Sequence, residues 1–101
     1  MPDDPAAERV RRILDVLIAL QPGEVTTYGD VAETAGYPKH SRLVGRILQT
    51  TDVDVPWWRV VNAAGRLVPG AEREQTALLA EEDVIVRTGH VHSAPHGRFG
   101  M

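Results

Sequence analysis

The residues best equipped for chemistry stand together in Val55-Pro56-Trp57-Trp58-Arg59-Val60-Val61-Asn62. Two neighbouring indoles and a guanidinium can hold a planar ligand through ring faces, an apolar wall and charge-assisted hydrogen bonds. They cannot attack one. The lone pair of an indole nitrogen belongs to the ring, and the chain contains no cysteine, so a thiolate nucleophile, a disulfide and a cysteine-ligated metal are all excluded. Nor can both tryptophans be simply core if the segment is extended, because successive side chains then point to opposite faces. His90, His92 and His96 offer imidazoles, but they lie in a Gly- and Pro-containing stretch with no carboxylate nearby to orient them. No metal site and no cofactor are expected there.

The elements that must position these residues read mainly as helices. Val10, Ile13, Leu14 and Leu17 recur at helical spacing, so Pro5 to Leu20 predicts an amphipathic helix ended by Pro22-Gly23. Thr27 can cap a second helix, with Asp30 three residues on in a capping-box-like relation and Tyr28, Val31, Ala32 and Ala35 along it. Gly36 stops that helix. A third runs from Pro38 to about Gln49, with Leu43, Val44, Ile47 and Leu48 on one face and Lys39, His40, Arg42 and Arg46 left for the other. Two short helices joined through a glycine make a helix-turn-helix candidate. Val60-Val61-Asn62 and Arg66-Leu67-Val68 around Ala63-Ala64-Gly65 predict a short hairpin, with Asn62 fixing the turn and Val60 and Val61 in the core. A helix over Ala71 to Glu82 and a strand at Val84-Ile85-Val86 follow.

The expected fold class is therefore mainly α, a winged helix-turn-helix-like single domain with a short β-hairpin. It occupies residues 5–88, with residues 89–101 as a flexible tail. At 101 residues and 43% hydrophobic content, one modest core is what the chain can build. No apolar run is long enough to span a bilayer, and Met1-Pro2-Asp3-Asp4 is acidic where a secretory signal would be basic. A monomeric cytoplasmic protein without membrane contacts is expected, nucleoid-associated if bacterial. The net charge of -3 argues against generic polyanion binding. Its distribution argues otherwise locally: Thr34 to Thr51 has no acid but carries Lys39, Arg42 and Arg46, and Val55 to Ala71 has none but carries Arg59 and Arg66. Acids gather near both ends, which leaves one electropositive face on an acidic body.

Pro56 and Arg59-Val60, flanking the two tryptophans, resemble the Pro-Cys-His-Arg-Val signature of the O6-alkylguanine-DNA alkyltransferases, with Trp57 where the alkyl-accepting cysteine stands. Gly23-Glu24-Val25-Thr26-Thr27-Tyr28 and Ala35-Gly36-Tyr37-Pro38-Lys39-His40-Ser41-Arg42-Leu43-Val44-Gly45 are similar to the entry and recognition-helix patterns of the same family. Three motifs in unbroken order, covering roughly Val10 to Arg87, make the likeness specific. Its nearest form is the alkyltransferase-like group, whose members lack the nucleophile.

The resemblance implies a non-enzymatic reader of duplex DNA carrying O6-alkylguanine. Its helix-turn-helix would dock in the minor groove, the modified nucleotide would flip into a pocket, and the complex would be handed to nucleotide excision repair proteins. Tyr28 matches the tyrosine that presses on the phosphate 3' to the flipped nucleotide, and Arg42 the arginine finger that fills the vacated stack; Lys39, Ser41 and Arg46 fall on the same DNA-binding element. The lesion pocket would be lined by Trp57, Trp58, Val60 and Arg66, with Pro56, Arg59 and Asn62 structural. Trp58 replaces the histidine that relays a proton to a glutamate, matched here by Glu82, so the base is lost with the nucleophile. Arg59 is read as a buried organiser of carbonyls or a carboxylate, Glu82 as a helix-end carboxylate. Arg66 and Arg73 both remain open as the arginine facing the lesion base. The helices alone also fit a winged-helix transcription regulator of undamaged DNA, which would have no need of the Pro-Trp-Trp-Arg-Val segment.

Overall fold

The computed structural model describes residues 4–100; Met1 to Asp3 and Met101, on which part of the acidic start and the last residue of the expected tail fall, lie outside the described residues. Helix α1 spans Pro5–Ile18, with Pro5 at its start and the Asp4 carboxylate accepting from Ala6 N at 3.0 Å. Its apolar stripe puts Ile13 and Leu17 entirely out of solvent. Strand β1, Glu24–Thr27, leads directly into α2, Tyr28–Thr34, and the expected cap forms: Thr27 Oγ1 accepts from Asp30 N at 3.1 Å. Asp30 itself turns elsewhere, its carboxylate accepting from Arg98 Nη1 at 2.9 Å.

Helix α3 covers Ser41–Thr50 and starts later than Pro38. Pro38 and Lys39 are used up in a tight turn, closed by His40 N donating to Tyr37 O at 2.9 Å, where proline suits the second position. Next come a single 3₁₀ turn, Trp57–Arg59, strand β2, Val60–Val61, and helix α4, Glu72–Ala80. Strands β3, Ile85–Arg87, β4, His90–Ser93, and β5, His96–Gly97, complete the chain.

Strand β1 is the centre of a three-stranded parallel sheet in the order β2-β1-β5, with Thr26 opposite Val60 and Val25 opposite Gly97. Because β2 is extended, its two valines part company. Val60 joins α1, α2 and α3 in one core, with Ile13, Leu17, Val31, Val44 and Ile47. Val61 joins Val25, Leu67, Leu79, Val84 and Val91 in the other. The sheet thus couples the helix-turn-helix to everything that follows it.

Two expectations are corrected. The predicted hairpin around Ala63-Ala64-Gly65 has its turn but not its ladder: Val60–Val61 pairs with β1, and Arg66 bridges to His90 instead. The hairpin of this fold is β3-β4, joined by Thr88-Gly89 with φ of 48° and 76°, the two positive values of a type I′ turn. Residues 89–100 are accordingly not a loose tail. Val91 and Ala94 are buried, and at Gly97 a Cβ would fall 2.6 Å from Val25 O, so only glycine lets β5 approach β1 this closely. Among the described residues no helix is long and apolar enough to cross a membrane.

Candidate nucleic-acid interface

An open cavity of about 420 Å³ lies where α2, α3, the 3₁₀ turn and the segment before α4 meet, within the roughly 300–1,000 Å³ typical of ligand pockets. Helix α3 contributes Ser41, Arg42, Gly45, Leu48 and Gln49, spaced along one face; α2 contributes Tyr28, and Trp57 and Val68 close it from the other elements. Gly45 stands beside the Tyr28 ring, where a Cβ would make ordinary van der Waals contact at 3.9 Å. Half-burial raises the Tyr28 pKa by desolvation, so its hydroxyl remains a neutral donor and acceptor at physiological pH. Ser41, Arg42 and Arg46 are exposed along α3 and Lys39 is exposed in the turn before it. None of Lys39, Arg42 and Arg46 enters an ion pair among the described residues.

Trp57 and Trp58 separate because the 3₁₀ turn rotates one away from the other, leaving their rings 6.2 Å apart and at 89°. Trp57 faces the cavity. Trp58 does not line it, contrary to the sequence expectation: its Nε1 donates to Glu82 Oε2 at 2.9 Å and its ring packs toward the second core beneath the Arg59 guanidinium, 5.2 Å away. Val60 is also withdrawn from the cavity, being fully buried in the first core. Arg66 does not line the cavity either; it is exposed, and its backbone bridges to His90. Val68 takes the wall position that the resemblance left unassigned.

Glu82 is the acceptor at the centre of this support. It receives Gly23 N at 2.8 Å, Trp58 Nε1, and the Nε and Nη2 of Arg59, the last at 2.7 Å. Arg59 Nη1 meanwhile donates to Leu20 O at 2.8 Å. The loop after α1, the 3₁₀ turn and the end of α4 are thereby fastened at one point, which is the organising role expected of Arg59. Burial by itself pushes the Glu82 pKa up, but hydrogen bonds from Arg59, Gly23 and Trp58 and the Arg59 charge outweigh it, holding the carboxyl below its ordinary range. An indole N–H donates and accepts nothing, so no proton can pass through Trp58 to the carboxylate.

Sequence reasoning missed Gln75. It is fully buried on α4; its Oε1 accepts from Val68 N at 2.7 Å, and its Nε2 donates to Trp58 O at 3.1 Å and Val60 O at 3.3 Å. One amide thus sets the spacing between the Trp57 turn and the Val68 wall. Pro56 opens the 3₁₀ turn, its carbonyl accepting from Arg59 N at 3.1 Å. Asn62 holds the next turn as expected, its Oδ1 accepting from Ala64 N and Arg66 N. Arg73 stands exposed in the first turn of α4 and does not line the cavity. Among the described residues no three His, Asp or Glu side chains come together as a metal-ligand set.

Comparison with known proteins places this geometry. Residues 8–84 match the family model described as 6-O-methylguanine DNA methyltransferase, DNA binding domain. The DNA base-flipping protein of Escherichia coli is 38% identical over 86 residues, 80% of this chain and 67% of the relative. Alkyltransferase-like protein 1 of Schizosaccharomyces pombe is 32% identical over 79 residues, 72% of this chain and 73% of the relative. The solved structure of S. pombe Atl1 in complex with damaged DNA containing O6-carboxymethylguanine superposes with a TM-score of 0.71 at 30% identity, covering 80% of this chain and 81% of that one.

Proposed function

Since the chain belongs to the family of the 6-O-methylguanine DNA methyltransferase DNA-binding domain, we propose that it recognises O6-alkylguanine in duplex DNA and leaves the lesion chemically unchanged. The observation that carries this is the lining of the cavity: Trp57 stands with Tyr28 and Arg42 around an open space that contains no thiol. A flipped purine would stack against the indole, an interaction worth about 1–3 kcal/mol per base. That is comparable to the few kcal/mol needed to unstack one, and the cost is least for a damaged base. Arg42 would fill the vacated position in the helix, its planar cation bonding or stacking where the nucleotide had been. Tyr28, Ser41, Lys39 and Arg46 would meet the phosphates alongside.

The relatives support the same reading by what they are named for, one flipping bases and another bound to DNA with O6-carboxymethylguanine. The proposal extends to the fate of the complex: the lesion, held and unrepaired, is passed to nucleotide excision repair proteins. Affinity for matched duplexes with and without a single O6-methylguanine tests the first step. A clear preference for the modified duplex is expected, and Trp57→Ala should shrink that preference more than it weakens binding to the undamaged duplex. Equal affinities of the unaltered protein for the two duplexes would rule lesion recognition out.

A further inference from the structure

We propose that Arg66 and the β3-β4 hairpin form a second phosphate-binding strip, extending the DNA footprint beyond the helix-turn-helix; the inference rests on the DNA-binding reading above. The register assembles it. Arg87 is paired with His90 across the hairpin, and Arg66 is bridged to the other side of His90, so the three side chains stand abreast on one face. His92 lies two residues along β4, and Val91 between the histidines is buried. Arg66, Arg87, His90 and His92 are all exposed, and neither arginine has an ion-pair partner among the described residues. In a chain of net charge -3, two arginines on one face that form no ion pair among the described residues are available to an external anion.

The strip continues the candidate interface. Leu67 is buried, so Arg66 and Val68 fall on the same side of their segment, and Val68 walls the cavity. The turn that precedes Arg66 adds Asn62 and Ala63 to a groove of about 440 Å³ shared with Tyr28, Ser41, Glu33 and the Asp30–Arg98 ion pair. Two strand spacings put Arg66 and Arg87 roughly 10 Å apart, far enough for each to meet a different phosphate. The strip is also preorganised, with Leu67 N donating to Gly89 O at 3.0 Å and Val91 N to Gly65 O at 2.8 Å, which limits the ordering cost of binding. Arg87, His90 and His92 lie outside residues 8–84 that match the family model.

The test is the salt dependence of binding, measured by fluorescence anisotropy on a labelled duplex with one O6-methylguanine and on its undamaged twin. Each phosphate contact contributes about 0.9 to the slope of log affinity against log salt concentration. The double variant Arg66→Ala, Arg87→Ala should therefore flatten the slope by roughly 1.8, weakening both duplexes by the same factor. Arg66→Lys, Arg87→Lys should keep the original slope. An unchanged slope in the alanine variant, a lysine variant that behaves like it, or a loss confined to the modified duplex would overturn the strip. The lesion reading fails separately, by equal affinity of the unaltered protein for the two duplexes, and that result leaves the slope comparison intact.

Discussion

A carboxylate with no proton to take becomes a structural fastening, and Glu82 is the instance here. All of its contacts are donors, with Trp58, Arg59 and Gly23 around it, and the side chains of Arg59 and Glu82 retain only 11% and 12% of their exposure. Glu82→Gln removes the charge but keeps the shape, and should cost about 1.5–3 kcal/mol, the range for hydrogen bonds to a charged group. The pH dependence has a definite sign. Because the folded carboxyl titrates below its ordinary value of 4.5, its stabilisation is complete above that value and is lost as pH falls through the lowered folded value. Thermal melts should show the gap between the unaltered protein and Glu82→Gln closing below pH 4.5; a gap independent of pH would refute the charged fastening. At this scale the sequence was legible where a motif isolated a residue: Arg59 as an organiser, Asn62 at its turn, Trp57 beside the cavity. It was opaque where function depends on direction. Nothing in Trp57-Trp58 tells that Trp58 turns away from the cavity, because a 3₁₀ turn rather than an extended strand carries them. Gln75 sits between Glu74 and Thr76 and has the pattern of a solvated helix face.

Among the elements, α1, α2 and α3 followed from apolar spacing and from the Thr27 cap; α1 and α4 stop at Ile18 and Ala80, short of the expected Leu20 and Glu82, and α3 starts at Ser41 because Pro38 and Lys39 enter a turn. The β-structure was harder to read. The strands are only two to four residues long, too short for alternation to mark them. Thr88-Gly89 also lacks the Asn or Asp that announces a two-residue hairpin, although Gly89 between Val86 and Val91 was a signal of it. The return of the chain onto β1 depends on Gly97, whose φ of +83° and contact with Val25 backbone exclude a side chain. Gly97→Ala should cost about 1–3 kcal/mol and lower the melting temperature by several degrees, since each 1 kcal/mol is worth about 4–8 °C in a domain this size. It should also expose the segment after Ser93 to protease. A variant with unaltered melting and protease resistance would show that β5 is not anchored as described.

For the whole molecule, an acidic chain presents a locally basic surface. Among the described residues Lys39, Arg42, Arg46, Arg66 and Arg87 form no ion pair, and Arg42 lines the apolar cavity. Arg59 and Arg98, by contrast, are neutralised by Glu82 and Asp30. The arrangement concentrates charge where a duplex can lie and leaves a space for one rotated base. The central claim is that this base leaves the helix for the cavity beside Trp57. A fluorescent base analogue incorporated at the lesion reads that step directly, because its emission rises when it is unstacked. Saturating the duplex with the unaltered protein should brighten the probe, and saturating it with Arg42→Ala should not. No brightening with the unaltered protein, or equal brightening with both, would contradict the account.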